Sequence, residues 1–516
     1  MLVGYKAQSR LGSRKHTIPS GLAMELLGAS TAVLAFCVTC LLVLAWRKPP
    51  LERRSPPGPM PLPILGNLLQ LKVKDARKTL RKMSERYGPI FTVFFGSDRV
   101  VVLYGYDVVK EVLVDRSEEF LDRGSFPSAD KTNKGLGIIM SNGERWKQMR
   151  RFSLTTLRNF GMGKKSIEER IQEEAQFLLE ELRAKDGHPF DPTVPFSCAT
   201  ANVICHILFG ERFDYQDSQY RHVLRVLSDS FRLESSVAGQ LYNVFPTLMD
   251  HLPGPHQTFF QNISTIQGFV ASRVRAHEDT VDLNAPRDFI DSFLLKMEQE
   301  KQNPKTEFTR ENLMMTTYDL FFAGTETTST SLRYTLMVLL EHPAVEEKIQ
   351  EEIDRVIGRE RGPTIKDRAE MPYMDAVIHE MQRYIDLLPL GVPRIPSCDT
   401  HIHGYHIPKG CTVYPMLSSV LRDPKHFKNP EVFDPEHFLD DKGAVKKNEA
   451  FMAFSAGKRM CIGESLARMQ LFLFLTAILQ NFRLQHAPGV SQLDLTPDVS
   501  GFGNIPRPFL LRLAPR

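Results

Sequence analysis

Hydrophobic residues recur every three to four positions along much of this chain, a spacing that predicts amphipathic α-helices. The predicted helices span residues 165–184, 216–232, 308–341, 343–357, 370–385 and 462–482. Two short runs rich in β-branched and aromatic residues, 90–95 and 99–103, flank turn residues and predict a β-hairpin. A second short β segment is predicted around 401–414. The pattern therefore indicates a mainly α fold with a minor β region.

One stretch near the N-terminus is continuously apolar. Residues 26–46 contain 21 positions without a charge, which is the length that a helix needs to cross a bilayer. A cleaved signal peptide is the alternative, but its apolar core is shorter, and no cleavage sequence of small residues follows. We therefore predict a single transmembrane anchor over 26–46. Residues 1–25 precede it as an N-terminal extension that, by hypothesis, is not native, with Met24 as the working start.

A basic and proline-rich linker is predicted over residues 47–67. Its five prolines between positions 55 and 67 favour an extended spacer or a solvated linker. Basic residues after the anchor indicate a body in the cytosol, although the first 23 residues hold as many basic side chains. The sequence contains no internal repeat and no later linker, so residues 68–516 are predicted to form one large domain.

Composition narrows the class of protein. With 42% hydrophobic and 24% charged residues among 516, the chain is neither disordered nor a multi-span membrane protein. The formal net charge is only +4, from 65 basic and 61 acidic residues, so bulk charge does not indicate nucleic-acid binding. Seven irregularly spaced cysteines indicate reduced thiols and no disulfide framework.

The most informative segment surrounds Cys461. Its spacing, F-x-x-G-x-R-x-C-x-G, arises by chance in about one of ten thousand such sequences. A structural thiol before a helix is the alternative interpretation. The predicted helix start and Arg459 both favour a thiolate at Cys461. Because no His or Cys lies at zinc-binding spacing, the chemistry suits a single axial ligand of haem iron better than a zinc site.

At this point the chain resembles the cytochrome P-450 family of haem-thiolate monooxygenases, over roughly residues 56–516. It is most similar to the vertebrate microsomal subgroup that oxidises drugs, steroids and fatty acids. Four segments carry the resemblance: 141–163, 319–330, 371–394 and 451–475. The resemblance implies the cytochrome P-450 fold for the domain over 68–516, haem b as the cofactor, and Cys461 as the ligand of its iron.

The long helix over 308–341 contains residues that disfavour a regular helix. Gly324 costs about 1 kcal/mol relative to alanine in a helix. Thr327 lies four residues after Ala323, so its hydroxyl can bond that carbonyl and bend the helix. A tolerated mid-helix threonine is the alternative. The resemblance implies that Thr327, with Glu326, helps deliver protons to dioxygen.

A tryptophan and an arginine four positions apart, Trp146 and Arg150, place two hydrogen-bond donors on one helix face. A core tryptophan beside a solvated arginine is the alternative. The resemblance implies that both bind the haem propionates, together with Arg123, Arg394 and Arg459.

The E-x-x-R sequence of Glu380 and Arg383 is too short to be informative alone, but it places both side chains on one helix face. The resemblance adds His437 as a third member of a structural triad. Many family members have arginine at that position, so the charge of this third member near neutral pH is left open by the sequence.

The resemblance also implies an activity. We expect a monooxygenase that inserts one oxygen atom into lipophilic substrates such as xenobiotics, fatty acids or steroids, with electrons from NADPH. The expected partner is NADPH-cytochrome P-450 reductase, cytochrome b5 is a second candidate, and the expected location is the endoplasmic reticulum membrane with the domain in the cytosol. By analogy the substrate pocket contains Phe126, Ile139, Phe322, Ala323, Val392 and Phe502.

Two other functions agree with a haem-thiolate loop. A haem-thiolate isomerase or a peroxide-using enzyme needs no reductase, although Glu326 and Thr327 argue against it. A haem-based sensor or carrier would show no turnover.

Exposed basic residues at Lys147, Arg151 and Arg158 are either a solvated face or a docking patch for the reductase. The substrate itself is not identified by the sequence.

Overall fold

Helices form most of the protein in a computed structural model that describes residues 31–40, 54–71, 76–161 and 165–516. In chain order they are α1 (31–40), α2 (Leu68–Leu71), α3 (Ala76–Tyr87), α4 (Tyr106–Lys110), α5 (Pro127–Asn133), α6 (Gly143–Asn159), α7 (Lys165–Arg183), α8 (Thr193–Phe209), α9 (Ser218–Ser235), α10 (Val237–Val244), α11 (Pro246–Met249), α12 (Pro255–Glu278), α13 (Phe289–Gln299), α14 (Arg310–Leu340), α15 (Pro343–Val356), α16 (Pro372–Ile385), α17 (Leu417–Leu421) and α18 (Glu464–Asn481). A π-helical turn, Glu111–Asp115, extends α4, and short 3-10 turns span Ile365–Glu370, Pro435–Phe438 and Gly457–Arg459.

All six helices that periodicity predicts are present, as α7, α9, α14, α15, α16 and α18. In α7, for example, the residues at 167, 171, 175, 178 and 182 form one buried face. Side-chain caps define the starts of two of these six helices. The carboxylate of Asp217 accepts hydrogen bonds from the first-turn N–H groups of α9, and the hydroxyl of Thr309 accepts one from Asn312 at the start of α14.

The helix α8 is absent from the periodicity-based prediction. Nearly all of its residues are buried, and it packs along α14 and against α7. A helix that is surrounded by protein has no polar face, so its sequence lacks the amphipathic spacing on which the prediction depends.

Eleven short strands make up the β structure among the described residues. They are β1 (Ile90–Phe95), β2 (Asp98–Leu103), β3 (Asp122–Arg123), β4 (Arg394–Ile395), β5 (Thr400–Ile402), β6 (Tyr405–Ile407), β7 (Thr412–Pro415), β8 (Phe482–His486), β9 (Val499–Ser500), β10 (Asn504–Ile505) and β11 (Leu511–Pro515). The largest sheet has the order β1-β2-β7-β4-β3, and β9–β10, β8–β11 and β5–β6 form separate pairs. The predicted hairpin is β1–β2. The predicted segment around 401–414 divides between the β5–β6 hairpin and β7.

The described part of the predicted linker lies against the large sheet. The carbonyl of Pro57 accepts a 2.8 Å hydrogen bond from the Thr92 N–H, and the hydroxyl of Thr92 donates to the Pro56 carbonyl. The side chain of Asn67 accepts a hydrogen bond from the Phe94 N–H. Pro56, Pro57 and Asn67 are therefore held on β1 by hydrogen bonds of backbone and side-chain groups.

Within the described residues, no helix has both the length and the apolar composition required to cross a membrane. The described part of the predicted anchor, residues 31–40, is helical, and most of its side chains are exposed. The rest of the predicted anchor, 26–30 and 41–46, lies outside the described residues, as do the predicted extension 1–25 and residues 47–53.

Candidate active site

A largely apolar cavity of about 310 Å³ lies inside the helical region. One part of its wall is α14, which contributes Ala323, Gly324 and Thr327. Another part is the loop before α18, which contributes Phe454 and Cys461. The structure therefore brings the cysteine loop and the threonine of the long helix to the same cavity.

The cysteine loop has a fixed shape. Gly457 has a φ of +72°, and a Cβ there would lie 1.7 Å from the carbonyl oxygen of Leu113, so no other residue fits. The N–H of Cys461 donates a 3.0 Å hydrogen bond to the carbonyl of Phe454, which closes the loop. These two contacts orient the thiol of Cys461.

The surroundings of Cys461 differ in part from the prediction. The side chain of Cys461 is exposed to the cavity, and the neighbouring protein desolvates its thiol. Burial raises the pKa of this thiol, although the backbone N–H groups of Gly463 and Glu464 and the charge of Arg150 lower it. Desolvation thus opposes the thiolate that the N–H groups at the helix start and the Arg150 charge favour, and the thiolate at Cys461 stays a prediction. Among the positive charges, that of Arg150 has the largest effect on the pKa of Cys461.

Four arginines converge beside the cavity, with one nearby carboxylate, that of Asp122, whose charge opposes the lowering of the pKa of Arg459 by burial. They are Arg123, Arg150, Arg394 and Arg459, and burial together with their mutual repulsion lowers the pKa of Arg123 well below its usual range. Arg394 is 2% exposed, and its Nε and Nη1 have no hydrogen-bond partner among the described residues. The indole Nε1 of Trp146 is buried and equally unpartnered. Unpaired buried donors of this kind fit a bound dianion, so these residues fit the two propionates of haem b.

Not all of these donors are free. Arg459 donates to the carbonyls of Leu121 and Ser141, at 3.0 and 2.7 Å, and Arg123 donates to that of Ile139 at 3.1 Å. These hydrogen bonds hold both guanidinium groups at the edge of the cavity.

The predicted hydrogen bond within α14 is present. The hydroxyl of Thr327 donates to the carbonyl of Ala323 at 2.7 Å. The helix nevertheless continues without a break from Arg310 to Leu340. Gly324 has a packing explanation, because a Cβ there would lie 2.5 Å from Cδ1 of Ile204 on α8.

Glu326 does not border the cavity. It is 1% exposed, and its Oε1 accepts hydrogen bonds from the side chains of Ser228, Thr330 and Arg333, at 3.0, 2.9 and 3.1 Å. Burial raises the pKa of this carboxyl, and the charge of Arg333 opposes the shift. The structure therefore separates Glu326 from the cavity wall to which Thr327 belongs.

Three of the six predicted pocket residues, Ile139, Ala323 and Val392, line the cavity. The other three, Phe126, Phe322 and Phe502, are not part of its wall. Phe126 instead contacts Phe502, with ring centres 5.5 Å apart, and Phe322 contacts Phe231.

The prediction missed two acidic residues of the wall, Asp319 and Asp386. The Oδ2 of Asp319 accepts hydrogen bonds from the N–H groups of Ile138 and Ile139, at 2.7 and 3.0 Å. An acid inside an apolar stretch of a predicted helix was the signal in the sequence that could have indicated it.

The predicted triad is assembled. Glu380 and Arg383 are both fully buried and form two parallel 2.7 Å hydrogen bonds, and Nδ1 of His437 lies 3.1 Å from the Glu380 carboxylate. Although burial opposes it, the hydrogen bonds of His437 to Glu380 and to the Lys428 carbonyl raise its pKa. These two hydrogen bonds shift His437 toward its charged form.

Comparison with known proteins agrees with this site. The Cytochrome P450 family model matches residues 56–513. The chain is 52% identical over 493 residues to Cytochrome P450 2H2 of Gallus gallus, covering 96% of this chain and 100% of that protein. It is 54% identical over 484 residues to Cytochrome P450 2C16 of Oryctolagus cuniculus, covering 94% and 99%. The chain belongs to the cytochrome P450 family, and it is a haem b-containing, NADPH-dependent monooxygenase that acts on lipophilic substrates with a reductase.

Proposed function

We propose that Cys461 is the proximal ligand of the haem iron and that oxygen insertion takes place in the cavity between this loop and α14. The observation that carries the proposal is the position of the thiol. Cys461 is the one cysteine among the described residues that borders the cavity, and its loop fixes the sulfur. When bound, the haem supplies the redox chemistry that activates dioxygen.

The buried donors of Arg394 and Trp146 that have no partner among the described residues support a second assignment. Arg394 and Trp146 donate to the haem propionates, with Arg123, Arg150 and Arg459 beside them. A dianion there would satisfy the free N–H groups and relieve the repulsion between the guanidinium groups. These residues thereby orient the haem relative to Cys461 and α14.

Thr327 is the residue to which we assign proton delivery. Its hydroxyl donates to Ala323, so the lone pairs of its Oγ1 remain available to accept a hydrogen bond from water in the cavity. For delivery, the hydroxyl turns from the Ala323 carbonyl and gives its proton to an acceptor in the cavity while a water gives a proton to Oγ1, so Thr327 stays neutral. Solvent replaces the proton that the water has lost. Glu326 acts in proton delivery as a positioning residue. Its side-chain hydrogen bonds with Thr330 and Arg333 hold the turn of α14 that carries Thr327.

The apolar wall supports broad substrate selection. A cavity lined mainly by aliphatic and aromatic side chains orients ligands by shape and by burial of apolar surface. Xenobiotics, fatty acids and steroids all fit this description. Phe126, Phe322 and Phe502 contribute as a neighbouring aromatic cluster and not as part of the cavity wall.

We assign the electron supply to NADPH-cytochrome P-450 reductase, with cytochrome b5 as a second donor. Lys147, Arg151 and Arg158 are exposed on α6, the helix that also carries Trp146, so a negatively charged partner that docks there approaches the haem site. Residues 26–46 are assigned as the anchor in the endoplasmic reticulum membrane, with the domain in the cytosol.

The reduced, carbon monoxide-bound absorption spectrum of the purified protein tests the ligand. We expect the thiolate signature in the wild type and in Cys398→Ala, a control at an exposed cysteine, and its loss in Cys461→Ala. A thiolate signature that persists in Cys461→Ala would contradict the assignment.

Product formation from a panel of lipophilic compounds, with and without NADPH and reductase, tests the electron supply.

A further inference from the structure

A second cavity, of about 290 Å³, lies where the end of α7, the start of α8 and the first half of α9 meet. We call it the outer cavity. Its apolar part is formed by Phe190 of the loop before α8 and by Val194, Pro195 and Cys198 of α8. It has no lining residue in common with the cavity beside Cys461, so the two cavities are separate.

Three of the charged side chains that line the outer cavity already have partners. Nζ of Lys185 lies 2.5 Å from Oε1 of Glu181, and Oε2 of Glu181 accepts a 3.2 Å hydrogen bond from the Gln216 amide. The carboxylate of Asp191 accepts a 2.8 Å hydrogen bond from the N–H of Thr193 at the start of α8. Both acids of the outer cavity are therefore held by groups other than its arginines.

The two arginines of the outer cavity, Arg221 and Arg225, are four residues apart and lie on one face of α9. Neither forms an ion pair with a carboxylate in the part of the chain that the structure describes. Nη1 of Arg221 donates to the Gln216 side chain at 3.3 Å, but its Nε is buried and has no acceptor within the described residues. Arg225 is exposed to solvent. Two guanidinium groups thus line one cavity without a carboxylate paired to either of them.

The charge of Arg221 acts on the apolar part of the outer cavity. It opposes the effect of burial on Cys198, but burial nevertheless raises the pKa of that thiol to about 12. The thiol is therefore neutral and unreactive near pH 7, which favours a ligand that binds without a covalent bond. Val194 and Pro195 belong to the first turn of α8, where the positive end of the helix dipole also favours an anion.

We propose that the outer cavity binds a small organic phosphate, with the phosphate group on the arginines and the organic group in the apolar part. A phosphate dianion matches the two unpaired positive charges, and it accepts hydrogen bonds from Arg225 and from the buried Nε of Arg221. The organic group packs against Phe190, Val194 and Cys198. Because the two cavities have separate walls, this ligand binds beside a substrate of the monooxygenase and does not replace it.

A phosphate ester and its neutral counterpart test this site. The probes are phenyl phosphate and phenol, and their dissociation constants come from equilibrium dialysis against the holoenzyme. The holoenzyme is first saturated with 4-phenylimidazole, which fills the cavity beside Cys461. We expect the wild type to bind phenyl phosphate at least about tenfold more tightly than phenol. This preference should disappear in the double variant Arg221→Gln/Arg225→Gln.

Two further variants make the result specific. Arg225→Lys keeps the positive charge and should retain part of the preference for the phosphate. Arg275→Gln removes an exposed arginine of α12 that does not line the outer cavity, and it should leave the preference unchanged. Equal binding of the two probes by the wild type, or an unchanged preference in the double variant, would overturn the proposal. An equal loss in Arg275→Gln would also overturn it, because it would indicate attraction to basic surface in general.

The fold of the variants is checked by their absorption spectra. If the double variant loses the thiolate signature that the wild type shows, Arg225→Gln alone decides, because Arg225 is exposed and its loss leaves the packing of α9 intact. An absent signature in the wild type would instead refute the proposed function. The comparison of the two probes between the wild type and Arg225→Gln would still decide the proposal for the outer cavity.

Discussion

The guanidinium of Arg459 lies over the indole of Trp146, with its central carbon 4.0 Å from the ring centre. The stacking fixes both side chains at the edge of the cavity and leaves the indole N–H without an acceptor among the described residues. Trp146 therefore has two roles. Its ring stacks against Arg459, and its indole N–H remains available to donate a hydrogen bond.

The substitution Trp146→Phe should separate the stacking role from the hydrogen-bonding role, because phenylalanine keeps an aromatic face under Arg459 but has no N–H. Loss of one hydrogen bond to a carboxylate is worth about 1.5–3 kcal/mol, so we expect haem to dissociate at least about tenfold faster. Transfer of haem to an excess of apomyoglobin measures the rate. An unchanged rate in Trp146→Phe would show that the indole N–H does not hold the propionate.

Thr327→Val removes the hydroxyl while preserving the shape of the side chain. We expect product formed per NADPH consumed to fall at least about tenfold, with hydrogen peroxide released instead, because proton delivery is impaired. Thr335→Val is the matched control, since its hydroxyl also donates to a carbonyl four residues earlier at 2.7 Å but does not border the cavity. Equal coupling in the two variants would contradict the role of Thr327.

The raised pKa of His437 predicts how stability depends on pH. Because the folded-state pKa lies above the unfolded value, this ion pair stabilises the protein fully below about pH 6.5. The contribution is lost as pH rises through the folded-state pKa. The difference in Tm between wild type and His437→Gln should therefore shrink on going from acid to alkaline pH. His403→Gln, at a half-exposed partner of Glu111, should show little difference at any pH.

Gly324→Ala tests the contact between α14 and α8. The new Cβ would displace Ile204, which itself lines the cavity. Overpacking costs about 1–3 kcal/mol, and the better helix propensity of alanine offsets about 1 kcal/mol. We expect a lower free energy of unfolding and weaker binding of bulky substrates. A second substitution, Ile204→Val, should restore part of the free energy of unfolding and part of the binding of bulky substrates. A double-mutant cycle measures this coupling.

The sequence predicts the parts of this protein that depend on local spacing. The helix boundaries, the β1–β2 hairpin, the bond from Thr327 to Ala323 and the Glu380–Arg383 pair all follow from residues close together in the chain. The burial of Cys461 and the position of Glu326 do not, because they depend on neighbours supplied by distant helices. The packing requirement for glycine at position 324 also cannot be inferred from the sequence, because it comes from the contact with Ile204 of α8.

The parallel pairing of β2 with β7 places Val101 opposite Val413. The two strands are joined by some three hundred residues of intervening chain, so during synthesis the β1–β2 hairpin is made long before β7 leaves the ribosome. Until then one edge of the hairpin has unpaired backbone groups beside apolar side chains, which is a surface prone to aggregation. Chains that terminate before β7 should therefore depend on chaperones to stay in solution, even when every helix up to α16 is present.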